Sequence, residues 1–248
     1  VCDGGLRRCP VTVVPMSVSS SETPRPTALV TGASRGLGAA IARELAPTHD
    51  LLLGARSVDA LSGILGELPG ATAWPVDLTD YEAVARAAAP IERLDVLVHN
   101  AGVAELGTVA ESSVSVWRET LEANVIAVSE LTRLLLPALR SANGHVVLIN
   151  SGAGLRANAG WGVYAASKFA LRAFGDALRL EEPRLRVTSI HPGRIATDMQ
   201  RAIVATEGRE FDANEFLTAE TVALTVGNAV LTPRDAHPTE IVLRPIAR

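Results

Sequence analysis

Tyr164 and Lys168 stand four residues apart in the run Tyr164-Ala165-Ala166-Ser167-Lys168, within a segment of helical period. Residues at that spacing share one helix face, so a phenol and an ammonium can point into one cleft. A free tyrosine, with a pKa of ~10, is a poor base at neutral pH. A neighbouring cation favours the phenolate and brings the hydroxyl within useful range of proton transfer. Ser151 ends an apolar run thirteen residues earlier, far enough for a loop to return its hydroxyl to the phenol. Asn124 lies a further twenty-seven residues upstream, inside a long helical stretch. A buried mid-helix amide needs partners, which a structural water or a proton relay can supply, and the relay is the favoured reading. Singly, each residue has an ordinary explanation, such as an exposed helix pair. Jointly they describe a site that moves protons.

The elements that must position these groups alternate along the chain. Short apolar runs at 27–31, 50–54, 71–76, 94–99, 145–150, 186–191 and 240–244 predict strands. Segments of helical period at 36–46, 58–67, 80–89, 113–140, 161–181 and 219–231 predict helices between them. Strands that read as continuous apolar runs belong to parallel sheets covered on both faces. The expected fold is therefore a single-domain, Rossmann-type α/β structure, a doubly wound parallel sheet of about seven strands with helices on both faces. Residues 1–26, with four prolines and a serine cluster but no period to bury, read as a disordered tail, and 27–248 as one domain. The stretch 194–218 is the longest without evident period and is a candidate substrate lid.

In such sheets ligands bind at strand carboxyl ends, where three further motifs fall. The loop Gly32-Ala33-Ser34-Arg35-Gly36-Leu37-Gly38 follows the first strand and opens a helix, so its glycines allow a tight turn and close approach of backbone to a pyrophosphate. No Gly-Lys-Ser/Thr follows, which excludes a P-loop. Asp77-Leu78 follows the third strand and can present a carboxylate to an adenine amino group, or simply close a turn. Asn100-Ala101-Gly102 follows the fourth, where small residues let a ribose or nicotinamide lie against backbone. The second strand ends Gly54-Ala55-Arg56 with no acid to bond a ribose 2′-hydroxyl. Arg56 and Arg35 there suit a 2′-phosphate and predict preference for NADP(H) over NAD(H).

Composition narrows the partners. Among 248 residues the net charge is −4, so there is no basic field for nucleic acid. No apolar run is long enough to span a bilayer. Both cysteines, Cys2 and Cys9, lie in the tail, which predicts a reducing, cytoplasmic setting and no cysteine-based metal site. His99, His145 and His191 fall at strand ends without neighbouring ligands, and read as packed core residues with no metal.

The stretches TGASRGLG, VDL, NAG, LEANVIA, INSGAG, YAASK and HPGRIATDM, in this order and spacing, resemble the short-chain dehydrogenase/reductase family over about Thr27 to Arg244. The resemblance implies hydride transfer between a nicotinamide and a carbonyl/alcohol carbon. Tyr164 would be the general acid/base, Ser151 would polarise the substrate oxygen, and Asn124 would hold a relay water. Lys168 would lower the Tyr164 pKa and bond the nicotinamide ribose, while Pro192, Gly193 and Thr197 would contact the nicotinamide end. Asn150, where many members carry serine, is a departure expected to matter little. The resemblance also implies a homodimer or homotetramer, and Leu134, Leu135, Leu136, Phe169 and Phe174 offer apolar surplus on the helices concerned. Trp161 and Leu155 suit an apolar substrate, and Arg156, Arg194 and Arg201 an anion. Two alternatives remain: an isomerase or epimerase using bound cofactor, and a non-catalytic dinucleotide-binding regulatory protein.

Overall fold

The computed structural model describes residues 25–246. Seven strands form one parallel sheet in the order β3-β2-β1-β4-β5-β6-β7. They are β1 (Thr27–Val30), β2 (Asp50–Ala55), β3 (Thr72–Pro75), β4 (Val96–His99), β5 (His145–Ile149), β6 (Arg186–Pro192) and β7 (Glu240–Leu243). The helices are α1 (Gly36–Leu45), α2 (Ser62–Glu67), α3 (Tyr81–Ala88), α4 (Val114–Leu121), α5 (Ala127–Ala142), α6 (Gly162–Glu181), α7 (Asp198–Thr206) and α8 (Ala219–Leu231).

Alternate strand residues feed two separate cores, which is why the strands read as unbroken apolar runs. Ala28 and Val30 pack with Leu51, Leu53, Val96, Val98 and the buried faces of α1 and α8. Leu29 and Leu97 point the other way, into a core with Val84, Leu131, Leu139 and Leu171 from α3, α5 and α6. The central strands β1, β4 and β5 are buried on both faces and consist mostly of Val, Leu, Ile and Ala, whereas the edge strands β3 and β7 are partly exposed. Chain order reverses between β1 and β4, and the crevice outside their carboxyl ends is where the glycine loop and Asn100 emerge.

Three expectations change. The predicted helix 113–140 is not continuous: a π-helical turn over Glu122–Ile126 separates α4 from α5, and α5 runs on to Ala142. The stretch 194–218 is built, not irregular. It contains α7 and a short 3₁₀ turn at Ala213–Glu215, and its base is closed by a parallel bridge between Ile195 and Leu217. The domain begins before residue 27, because Arg25 donates to the carbonyls of Ala46 and His49, and Pro26 O accepts from Asp50 N. The rest of the predicted tail, residues 1–24, lies outside the described residues.

The apolar surplus expected on α5 and α6 is smaller than predicted. Leu135 is fully buried, and Leu134, Leu136 and Phe174 pack against the second core. Phe169 and Ile126 remain well exposed.

Candidate active site

A single cavity of about 1710 Å³ runs along the carboxyl ends of the strands. That exceeds the ~300–1,000 Å³ of ordinary small-ligand sites and suits a dinucleotide together with a substrate. Gly32, Ser34, Arg35, Gly36, Leu37, Gly38, Arg56, Asp77, Leu78, Asn100, Ala101 and Gly102 line one part. Ser151, Tyr164, Lys168, Pro192 and Gly193 line the other, while Thr197, also on the wall, lies against Gly36 of the glycine loop. Of the candidate catalytic residues, Asn124 alone is absent from the wall.

The glycine loop is shaped for close approach. Gly32 and Gly36 have φ of +64° and +54°, which disfavours any side chain. A Cβ on Gly38 would come within 2.1 Å of Gly32 O and 2.6 Å of Asn100 Nδ2. Asn100 Nδ2 donates to the carbonyls of Thr31 (3.0 Å) and Gly32 (3.2 Å), tying the loop after β4 to the loop after β1. The Thr31 hydroxyl, bonded to Val98 O, also accepts from the backbone N–H groups of Asn100 and Ala101. Gly38→Ala is therefore expected to force backbone apart, at a cost of roughly 1–3 kcal/mol. Thermal unfolding should show a fall of several degrees, together with weakened NADPH binding. An unchanged melting temperature and unchanged NADPH titration would contradict this account of the loop.

Asp77 closes a turn as well as lining the cavity. Its Oδ1 accepts from the Thr79 backbone N–H and hydroxyl, and these bonds, the backbone one foremost, hold its carboxyl below the usual range. Arg35 and Arg56 are both exposed on the cavity wall. Among the described residues neither forms an ion pair, and Glu67 is taken by Arg43 at 2.6 Å.

At the other end, Lys168 is buried and donates from Nζ to Ile149 O at 2.9 Å. Burial lowers its pKa to about 8. Its Nζ stands 5.7 Å from the centre of the Tyr164 ring. The expectation that Lys168 lowers the Tyr164 pKa is not met in this geometry. Burial raises the phenol above its ordinary value, and the opposing influence is the Ser151 hydroxyl. The phenol thus holds its proton at neutral pH, the state a general acid needs. Ser151 caps the 3₁₀ turn Gly152–Gly154 through Ala153 N, with its backbone extended at the end of β5.

Two neighbours frame Ser151. Asn150 is buried, and its Oδ1 accepts from Ser151 N at 2.8 Å, so this departure has a structural job. His191 Nδ1 donates to Ser151 O at 3.2 Å from the adjacent strand. Burial lowers the His191 pKa, which keeps the ring neutral. His99 and His145 also stay neutral, both pushed down to about 3 by burial, and each shares a hydrogen bond with a threonine, Thr132 and Thr188 respectively.

Asn124 sits behind the wall, in the π turn. Its side chain bonds both backbone groups of Val103, each at 2.9 Å, and donates to Ser167 Oγ at 3.0 Å. Ser167 in turn donates to Tyr164 O. The expected water is not needed to satisfy this amide, because protein groups do so directly. Gly102 must be small beside it, since a Cβ there would lie 2.8 Å from Asn124 Oδ1.

Sequence reasoning passed over Asn158, Gln200, Glu207 and Arg244, which also line the cavity. Arg201 and Leu155 do not line it. Arg201 stacks instead on Phe211 at 4.1 Å. Thr197 lines the cavity while capping α7 through Gln200 N. Arg244 carries no recognisable motif and follows a four-residue strand, which explains why its position was not legible.

A sequence profile described as short chain dehydrogenase matches residues 26–208. Glycine betaine reductase ATRR of Emericella nidulans is 34% identical over 98% of the chain, which spans only 20% of that protein. The mouse dehydrogenase/reductase SDR family member 7B is 36% identical over 77% of the chain and 64% of its own length. The chain therefore spans a fifth of one relative and just under two thirds of the other. An alcohol dehydrogenase from the archaeon Thermococcus sibiricus, solved with 5-hydroxy-NADP, superposes with a TM-score of 0.81 at 29% identity, covering 90% of this chain and 97% of that one. An actinorhodin polyketide ketoreductase with NADPH gives 0.82 at 25% identity, covering 89% and 96%. With its Rossmann-type sheet and this match over most of its length, the chain belongs to the short-chain dehydrogenase/reductase family.

Proposed function

We propose that the protein is an NADP(H)-preferring oxidoreductase that interconverts a carbonyl and a secondary alcohol. The observation that carries this reading is the single cavity that joins Arg35 and Arg56 at one end to Ser151, Tyr164 and Lys168 at the other. The glycine cradle, which a Cβ would fill, fits the pyrophosphate of a dinucleotide. NADPH, when bound, supplies hydride to the carbonyl carbon. Ser151 Oγ donates to the carbonyl oxygen and orients it. Tyr164, kept protonated by burial, gives its proton to that oxygen as negative charge develops there. Lys168 would hold the ribose hydroxyls of the cofactor and offer its charge to the phenolate left behind. Asn124 acts as a positioning residue, clasping the loop at Val103 to the helix that carries Tyr164; any relay water would be held by groups other than its amide. Exposed Phe169 and Ile126 support assembly as a homo-oligomer. The cysteine-free body supports a reducing, cytoplasmic setting.

The test is NADPH consumption with a panel of ketones and aldehydes across pH. The free-enzyme profile, kcat/KM for NADPH, is expected to hold at neutral pH and fall above about 8. Above that value Lys168 loses the proton that makes it a ribose donor and a cation. Consumption with no member of the panel would overturn the reading, and an isomerase or a non-catalytic binder would then replace it.

A further inference from the structure

The cavity is far more cationic than the chain around it. The protein carries a net charge of −4. Yet the wall presents Arg35, Arg56, Arg156, Lys168, Arg194 and Arg244 against only Asp77, Asp198 and Glu207. Arg35 and Arg56 stand at the ribose end and Lys168 beside the phenol. Arg156, Arg194 and Arg244 remain, in the part of the wall that surrounds Ser151 and Tyr164. Cavity walls of one sign focus field lines and draw in ligands of the other.

Two of the three are held in place. Arg244 Nη1 donates to the carbonyls of His191 and Leu243, at 3.1 and 3.0 Å. Its guanidinium lies over Gly152, next to Ser151, so close that a Cβ there would meet it at 3.2 Å. Arg194 follows Gly193 directly. Its guanidinium carbon is 5.2 Å from the Phe216 ring and 6.0 Å from the Trp161 ring. Trp161 packs edge-on against Tyr164 at 5.9 Å, so Arg194 stands one indole away from the phenol. Arg194 Nη2 donates to Glu207 at 2.8 Å, while its Nε is buried with no partner among the described residues. Glu207 has a second cation, Arg209, at 3.9 Å, which it shares with Glu215, bonded to Arg209 at 2.6 Å. A carboxylate in the cavity can therefore share the Arg194 guanidinium with Glu207, which keeps Arg209 nearby.

We propose that the carbonyl substrate carries a carboxylate, and that Arg194 is the residue that selects it, with Arg156 and Arg244 adding to the attracting field. This rests on the carbonyl-reductase reading above. The probes are straight-chain keto acids with the carbonyl one to four carbons from the carboxylate, their methyl esters, and a ketone bearing a trimethylammonium group, each with NADPH. The wild-type protein is expected to favour at least one acid over its ester by roughly tenfold or more in kcat/KM. Arg194→Met keeps an apolar stem between Trp161 and Phe216, and should lower that acid-to-ester ratio by roughly ten- to a hundredfold, as for a lost charged hydrogen bond. Arg194→Lys should restore part of it. A wild-type preference for esters or for the cation overturns the inference without need of a variant. So does a Met variant whose acid-to-ester ratio is unchanged, or whose defect lies in KM for NADPH. Turnover of esters without acids sinks this inference alone, whereas no turnover of any carbonyl sinks the carbonyl-reductase reading as well.

Discussion

Tyr164→Phe should lower kcat for carbonyl reduction by about 10²–10⁴-fold while leaving NADPH affinity near its original value, since general acid catalysis contributes on that order. The substitution keeps the ring and its edge-on contact with Trp161, so the wall of the cavity is preserved. Only the transferable proton is lost. Burial raises the phenol's pKa, so in the native protein the proton is present throughout the neutral range and its removal cannot be mimicked by pH there. Steady-state rates with NADPH titration by fluorescence check both halves. A variant that keeps more than about a tenth of the activity would assign the proton to another group. A large loss of NADPH affinity would mean that the hydroxyl serves binding instead of chemistry.

Arg56→Ala should raise KM for NADPH relative to NADH by roughly ten- to a hundredfold, the effect of a lost charged hydrogen bond of ~1.5–3 kcal/mol. The end of β2 offers Gly54, Ala55 and Arg56, with no carboxylate to accept a 2′-hydroxyl or repel a 2′-phosphate. Arg35 is the residue before α1 and makes no side-chain cap, so its guanidinium is not committed to the helix. The competing carboxylates Asp59 and Glu67 do not pair with either arginine among the described residues, and Glu67 is paired with Arg43. Arg56 does send its field toward Asp77, where it adds to the lowering of that carboxyl. Kinetics with both cofactors decide the matter. Equal effects on the two, or a wild-type protein faster with NADH at equal low concentration, would remove the 2′-phosphate from the account.

Much of the sheet was readable because burial on both faces leaves a plain signature. Runs such as Leu51-Leu52-Leu53 and Val146-Val147-Leu148 admit few other interpretations once helical periods flank them. The cofactor-side candidates were readable for a related reason: positions at strand ends are fixed once the strands are. The π turn was not, because Glu122-Ala123-Asn124-Val125-Ile126 keeps an acceptable helical pattern and one extra residue per turn leaves no compositional mark. Asn124 was recognised, but its partners were not, since Val103 and Ser167 reach it only through tertiary packing. Likewise α7 buries just Gln200, Ile203 and Val204 in a run dense with polar residues, too narrow a stripe to show as a period. Arg194 and Arg201 looked alike in sequence. Folding put the first against Trp161 inside the cavity and the second on Phe211 outside it.

The strand order carries a consequence for the nascent chain. β1 lies between β2 and β4, and the glycine loop proposed to cradle the dinucleotide is held by Asn100, which is sixty-nine residues from Thr31. Closing so long a span costs entropy before any contact repays it, and pairings of this kind form slowly. During synthesis the first three strands and their helices can gather, but the glycine loop has no anchor until β4 has emerged and paired with β1. Competence to hold NADPH should thus arrive in one step with that pairing, and ligand should protect refolding chains from aggregation only after the β1–β4 seam has closed.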